Sequence, residues 1–290
     1  TNGLVYSRII TELPTLGDEL GPLLPLYCDL APDVDCAGRD YQTNQAYQAS
    51  VVGGIDTRTS IRGAIDNPEN PEGFIVVAGK ALTRNHSALS TLLVDTLSHV
   101  NFDELARVRE MIAQMRVQEE ARITDVGHSL ALAAASASIN ATAALNEQWT
   151  GLSAIKTLKA LDNALNEEGA VEALCEQLRQ IAAAVARAPR QLVIVSESKH
   201  RQDVEAALAE AVENLPAIQS QPAQLTAPIA QPGVAWLVNT QVNFCAKAYP
   251  CAPQNHDDAA ALYVLSALLR NEFLHREVRE KGGAYGGGAS

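Results

Sequence analysis

His275-Arg-Glu-Val-Arg-Glu-Lys-Gly-Gly-Ala-Tyr-Gly-Gly-Gly288 closes a helical pattern and opens a turn. Upstream of it, Leu262, Leu265, Leu269 and Phe273 recur at three- and four-residue spacing, the apolar stripe of a helix running from Asp257 to His275. The pattern stops at Gly282-Gly283, as helices stop at a glycine C-cap, and an extended strand carrying Tyr285 is expected beyond it. Arg279 falls at the end of that helix. The small residues between Arg279 and Tyr285 let the backbone turn and pass close to another group.

Working outward, 290 residues allow one large domain or two smaller ones, and 47% hydrophobic residues are ample for a core. No apolar run approaches the ~18 residues of a membrane span, and no basic-then-apolar leader opens the chain, so no membrane partner is expected. The sequence begins Thr1-Asn-Gly-Leu-Val-Tyr without a Met and reads as a piece of a longer protein or a processed one. A net charge of −12, from 34 acids against 22 Lys and Arg, argues against a nucleic-acid partner, whose phosphates need clustered cations. The same charge suits a chamber that attracts basic peptides, as it suits ordinary solubility. Cys28, Cys36, Cys175, Cys245 and Cys251 form an odd, scattered set. They point to free thiols in a reducing compartment, the cytoplasm or alternatively an organelle matrix.

Along the chain, Leu4 to Ile10 reads as a strand. A helix from Thr15 through Leu30 follows, with Asp18 and Glu19 in its first turn and with Pro22 and Pro25 as weak points. Asp40 to Ser50 reads as a helix, Val51 to Ile61 as a strand opened by Gly53-Gly54, and Phe74 to Ala78 as a short apolar strand. From Asn85 onward the pattern is helical: a first face on Leu89, Leu92, Leu93, Leu97 and Val100, a second on Leu105, Val108, Ile112 and Met115. An Ala/Ser-rich helical stretch at 127–144 and helices over 152–165 and 171–186 follow. Gln191 to Val195 reads as a buried strand and Arg201 to Leu215 as a helix. Strands are expected again at 234–238 and 241–249.

Pro216 to Pro232 is rich in proline and glutamine and has little periodicity, which makes it the best linker in the chain. It separates a longer N-terminal part from a shorter C-terminal one. A weak repeat links the two: strand, acid-capped Leu-rich helix and Gly-Gly occur at 4–55 and again at 242–288. The fold class this pattern leads to is α+β, a duplicated unit with the second copy incomplete.

The phrase Leu274-His-Arg-Glu-Val-Arg-Glu-Lys-Gly-Gly-Ala-Tyr-Gly286 resembles the C-terminal half of the pitrilysin/insulinase family of zinc metalloendopeptidases, and most of all its presequence-protease subgroup. The resemblance extends more weakly over most of the chain. It implies that Tyr285 and Arg279 are catalytic, reaching toward a zinc site in the N-terminal half. The tyrosine hydroxyl would bond the scissile carbonyl oxygen and the arginine would hold substrate backbone, with Gly282 and Gly283 completing the substrate-binding set. Fixed donors aimed at a developing oxyanion are a large catalytic term. The partners implied are the N-terminal half of the same protein and short unfolded peptides. The family's C-terminal half holds two α+β domains, so the resemblance implies a curved, mostly antiparallel sheet packed under helices in each, with 1–218 as the first, 219–232 as the linker and 233–290 as the incomplete start of the second.

The family's zinc motif is His-x-x-Glu-His with a downstream Glu. His86, His99, His128, His200, His256 and His275 include no pair four apart. No metal ligand is therefore expected in this chain, zinc being held elsewhere in the full-length enzyme, and the chain alone is expected to be inactive. His99 is expected to be packed on the apolar side of its helix. Ser196-Glu-Ser198 lacks the Gly-x-Ser-x-Gly elbow, and the glycine runs lack the Lys-Ser/Thr of a phosphate loop. A second reading keeps the fold and drops the chemistry: a non-catalytic peptide-binding subunit or homologue.

Overall fold

Alternation along Leu4–Glu12 (β1) builds the sheet: Val5, Ser7, Ile9 and Thr11 are buried while Tyr6 and Arg8 face outward. The computed structural model describes residues 2–219, 221 and 223–290. Thr1, at the start of the expected first domain, and Ser220 and Pro222, in the expected linker, lie outside the described residues. Two further strands, Ile55–Gly63 (β3) and Pro71–Leu82 (β4), form an antiparallel pair, and β4 pairs antiparallel with β1. Arg190–Val195 (β6) lies on the other side of β1, giving the order β3-β4-β1-β6. Asp35–Cys36 (β2) and Val100–Asn101 (β5) make a separate two-stranded ladder.

One face of the sheet is covered by helices. Gly17–Leu20 (α1) and Leu24–Leu30 (α2) are separated by a 3₁₀ turn at Gly21–Leu23. The single helix expected from Thr15 to Leu30 is thus broken, because Pro22 and Pro25 cannot donate to an α-helical ladder and sit instead at the starts of new segments. Tyr41–Val51 (α3) is capped by Asp40, whose carboxylate accepts from the Thr43 N–H at 2.8 Å. His86–Ser98 (α4) packs on β4 and β1. Leu105–Asp125 (α5), Gly127–Ser136 (α6), Ala141–Thr150 (α7), Leu152–Ala164 (α8) and Ala170–Val185 (α9) follow, with Arg201–Glu213 (α10) against α4. The expected helical stretch at 127–144 is two helices, since Asn140 caps α7 by accepting from the Ala143 N–H at 2.8 Å and so starts a new one.

The core is one cluster running from Val5 and Ile9 through Ile75, Val77, Leu93 and Ile112 to Leu178 and Val185. On α9, Leu174, Leu178, Ile181 and Val185 are all buried, as their spacing requires. Gly79 admits α4 to the sheet: a Cβ there would lie 2.6 Å from Leu89 Cδ1 and 2.7 Å from Ile55 Cδ1. Between α5 and α8, Arg109 and Arg116 bond the Asp162 carboxylate at 2.5 and 2.6 Å. Burial alone would raise that carboxyl, but the bonds from Arg116 and Arg109 outweigh it and bring it below the usual range. The cover over Asp162 is the two guanidinium groups themselves, not deep core.

Several expectations are corrected. β6 is an open edge: Leu192, Val193 and Val195 are exposed, because only one flank of the strand is paired and little covers its faces. His99 is not packed; it caps α4 half in solvent, 3.1 Å from Ser98 Oγ and 3.5 Å from Asp95. No strand forms at 234–238 or 241–249 among the described residues, so the strands of the expected repeat are missing from its second copy. A strand needs a partner edge, and isolated pairs are marginal in water; neither open edge of the sheet is taken by these segments. What remains is an α+β fold with an antiparallel sheet under helices. Beyond it, the 223–250 stretch runs over the surface, with the Ala223 N–H bonding Leu13 O at 2.7 Å and the Ala230 N–H bonding Ala137 O at 3.0 Å.

Gly79→Ala should lower the free energy of unfolding by about 2 kcal/mol, the scale of overpacking in a filled core, measured by urea denaturation. Asp162→Asn should also destabilise the chain, by about 2 kcal/mol near neutral pH, because two guanidinium groups lose their carboxylate. A carboxyl depressed in the folded state contributes stability above its unfolded pKa, about 3.9, and loses it as pH falls through the folded value. The gap between wild type and Asp162→Asn should therefore close below about pH 4.

Candidate functional site

Asp258 precedes Ala259–Leu268 (α11), which continues without interruption into a wider π-helical segment, Leu269–Lys281. The helix thus runs on past His275, where the apolar stripe ends. The charged residues after it form their own ties: His275 to Glu280 at 3.3 Å, Arg276 to Glu277 at 3.2 Å and Lys281 to Glu277 at 2.8 Å. The bond from Lys281, and a lesser one from Arg276, holds the Glu277 carboxyl below its ordinary value.

Gly282 and Gly283 end the helix for two different steric reasons. A Cβ on Gly282 would lie 2.7 Å from the Val278 carbonyl oxygen. Gly283 has φ +71°, the left-handed region that closes helix C-termini, and its N–H returns to Arg279 O at 3.1 Å. The Ala284 N–H reaches Val278 O at 3.2 Å, and Gly287 comes so close to Val278 that a Cβ would sit 3.3 Å from its side chain. The chain therefore doubles back over the last turn, with Tyr285 at the apex.

The strand expected at Tyr285 is not formed: the residue lies in an irregular loop, because no neighbouring strand is present to pair with it among the described residues. Its side chain is 92% exposed. Arg279 is also exposed, and among the described residues neither side chain makes a hydrogen bond or ion pair. The turn thus joins the two at the backbone, through Gly283 and Arg279, and leaves both donor groups open to an incoming acceptor.

Among the described residues no group of three or more His, Cys, Asp or Glu comes together in a way that could hold a metal. His256 sits beside Asp258 and His275 beside Glu280, each a lone pair of groups. No helix among the described residues is long and apolar enough to cross a membrane. A concave feature that no sequence motif announced lies elsewhere, between α2, α5, α7 and α8, with Asp29 on its rim.

Gly283→Ala should cost about 1 kcal/mol locally, since only glycine takes that φ without strain. Faster amide hydrogen exchange at Gly283 and Ala284, with no change in the β1–β4 amides, is the expected result.

Comparison with known proteins gives the family. The model for the associated domain of peptidase family M16, subfamily C, matches residues 1–161, and "Peptidase M16 inactive domain" matches residues 175–290. The mitochondrial presequence protease of Xenopus laevis is 26% identical over 100% of this chain and 31% of its own length. That of Kluyveromyces lactis is 28% identical over 100% of the chain and 30% of its own length. Presequence protease 1, chloroplastic/mitochondrial, of Arabidopsis thaliana is 28% identical over 99% of the chain and 26% of its own length. The chain thus spans less than a third of the length of these relatives. Among solved structures, a peptidase M16 inactive domain from Pseudomonas fluorescens overlays with a TM-score of 0.42 at 17% identity, covering 80% of this chain and 49% of that one. With the first model alone matching more than half of its residues, the chain belongs to the M16 peptidase family, as a subfamily C associated segment followed by the M16 inactive domain.

Proposed function

We propose that this chain is the C-terminal segment of a zinc metalloendopeptidase that degrades short unfolded peptides. The carrying observation is the Arg279–Tyr285 turn, with both donor side chains open to solvent, in a chain whose whole length aligns with presequence proteases. Tyr285 donates its phenolic O–H to the scissile carbonyl oxygen as negative charge develops there. Arg279 holds the substrate backbone by its guanidinium donors. Gly282 and Gly283 let the backbone approach the peptide while fixing the turn that carries both residues.

Zinc and its ligands belong to the N-terminal half of the same protein, the partner with which this segment closes the substrate chamber. An enclosed chamber admits unfolded peptides and excludes folded proteins; nucleic acid and membrane are not partners in this reading. Residues 1–218 form its first domain, 219–232 the linker and 233–290 the start of a second. The relatives are named as mitochondrial and chloroplastic, which favours an organelle matrix over the cytoplasm; free thiols suit either. A peptide-binding homologue without zinc chemistry is the competing reading.

In the complete enzyme, Tyr285→Phe should lower kcat about 10²-fold with KM little changed, the scale of one lost oxyanion donor. Equal turnover by the wild type and Tyr285→Phe would refute the catalytic assignment. No zinc in the complete protein, with peptide binding intact, would establish the binding homologue.

A further inference from the structure

The pocket between α2, α5, α7 and α8 takes no part in the reading above, and neither Arg279 nor Tyr285 lines it. It measures about 380 Å³, and its apolar wall is made by Leu26, Met115, Trp149, Ile155, Leu158 and Leu161. Asp29, Met115 and Glu119 are shared with an adjoining, more polar pocket of about 310 Å³ that Gln114 and Gln118 also line. Asp29 therefore stands where the two meet.

The other charged groups around Asp29 have partners of their own, although the Arg107 Nε is buried without one. Glu119 is bonded by Arg122 at 2.6 Å, and Arg122 also donates to Thr150 O at 3.2 Å. Arg58 pairs with Asp56. Asp33 accepts from Gln45 at 3.0 Å, while Arg107 reaches Glu110 at 3.4 Å and lies over the Tyr41 ring. Among the described residues Asp29 alone of this set has no hydrogen bond or ion pair. Asp29 is exposed at the pocket rim, yet the protein around its carboxyl, and then the charge of Glu119, pushes it up to about 6.

We propose that this pocket binds a ligand with an apolar body and a single organic cation, the body against Trp149 and Leu158 and the cation on the Asp29 carboxylate. Three chemical alternatives fit worse. An anion would meet Asp29 and Glu119 together. A neutral apolar ligand would strip water from Asp29 and return nothing to it. A bare metal ion would leave the apolar wall unused. An ammonium or guanidinium group instead gives the carboxylate the charge-assisted bond that it lacks, and the volume suits a compact ligand. The same chemistry is carried by a free amine and by a basic side chain next to an apolar one in a peptide.

Binding should follow the ionisation of Asp29. Glu119, Arg122 and Arg107 face it from α5, Asp33 from the turn after α2, and Arg58 from β3. A cation favours the ionised carboxylate, so amine affinity is greatest above about 6 and falls as Asp29 takes up a proton below that value.

The test is a titration of this chain followed at the Trp149 indole N–H by NMR, with Trp236→Phe to remove the other indole. The probes are 2-phenylethylamine, phenylacetate, and the blocked dipeptide acetyl-Leu-Lys-amide. We expect saturable shifts with the amine and none with phenylacetate. Asp29→Asn should weaken amine binding about tenfold, as should a drop from about pH 7.5 to about pH 5, and Asp29→Asn should abolish that pH dependence. Asp29 is solvent-open, so Asn is tolerated by the fold; unchanged thermal unfolding checks this. Thr157→Phe, which adds bulk on the exposed side of the pocket, should block binding independently. Binding of the dipeptide alone would assign a peptide side chain as the ligand, and binding of the amine alone a free amine; either supports the site. Equal binding of phenylacetate, no shift at Trp149 with either cation, or amine binding indifferent to both variants would overturn the proposal. None of these outcomes depends on the peptidase assignment, which kcat of Tyr285→Phe tests separately.

Discussion

Everything in this chain leans on β1 having a neighbour on each side. Its partner β4 arrives only after α1, α2, α3 and the antiparallel strand β3, and β6 comes from residues 190–195, so the chain leaves the sheet at Leu82 and returns next to Tyr6–Thr11. The six helices α4 to α9 are strung between those two points and must arch over the face where Val5, Ile9, Ile75 and Val77 are buried. The closeness of that arch is set at Gly79, where the absent Cβ leaves room for Leu89. Downstream of β6, the Gln219 N–H bonds Arg187 O at 3.1 Å and the Ala223 N–H bonds Leu13 O at 2.7 Å. The exit from the folded unit is thus tied to the residue just after β1 and to the turn before β6.

Period was the legible part. A two-residue repeat gave β1, and a 3.6-residue repeat gave α4, α8 and α9 nearly to their ends, because in each case one face faces a core and nothing competes. Legibility failed where local chemistry overrode period, as at Pro22 and Pro25, which chop one apolar run into three short segments. It failed again where pairing depends on a distant partner. Residues 234–249 have a strand's composition, but composition does not provide an edge to pair with. The helix stop at Gly282-Gly283 was legible because a glycine C-cap is a local device, whereas the strand expected at Tyr285 depends on a partner strand and did not form. The Asp29 pocket was not legible, since its walls come from residues 26, 115, 149 and 158, far apart in the chain. Its one sequence trace is an acid on a short helix whose neighbours Leu26, Cys28 and Leu30 are all buried.

The C-terminal helix obeys a different logic from the rest. No residue of α11 is buried, although its ten residues are almost wholly apolar; Tyr263 is 81% and Val264 66% exposed. Such a helix gains little from packing as it stands, and most helical stability in proteins comes from packing. Its far end is nevertheless well defined, because Gly283, the Lys281–Glu277 pair and the return of Gly287 onto Val278 are all contacts within a dozen residues. Local contacts therefore fix where Tyr285 stands relative to the helix end, whereas Tyr263, Leu268 and Phe273 on the helix itself are exposed. Oxyanion stabilisation requires placement to within about 0.5 Å. In the peptidase reading, covering that apolar helix and bringing Tyr285 to the scissile carbonyl are then one event: the surface that buries α11 is also what aims the donor.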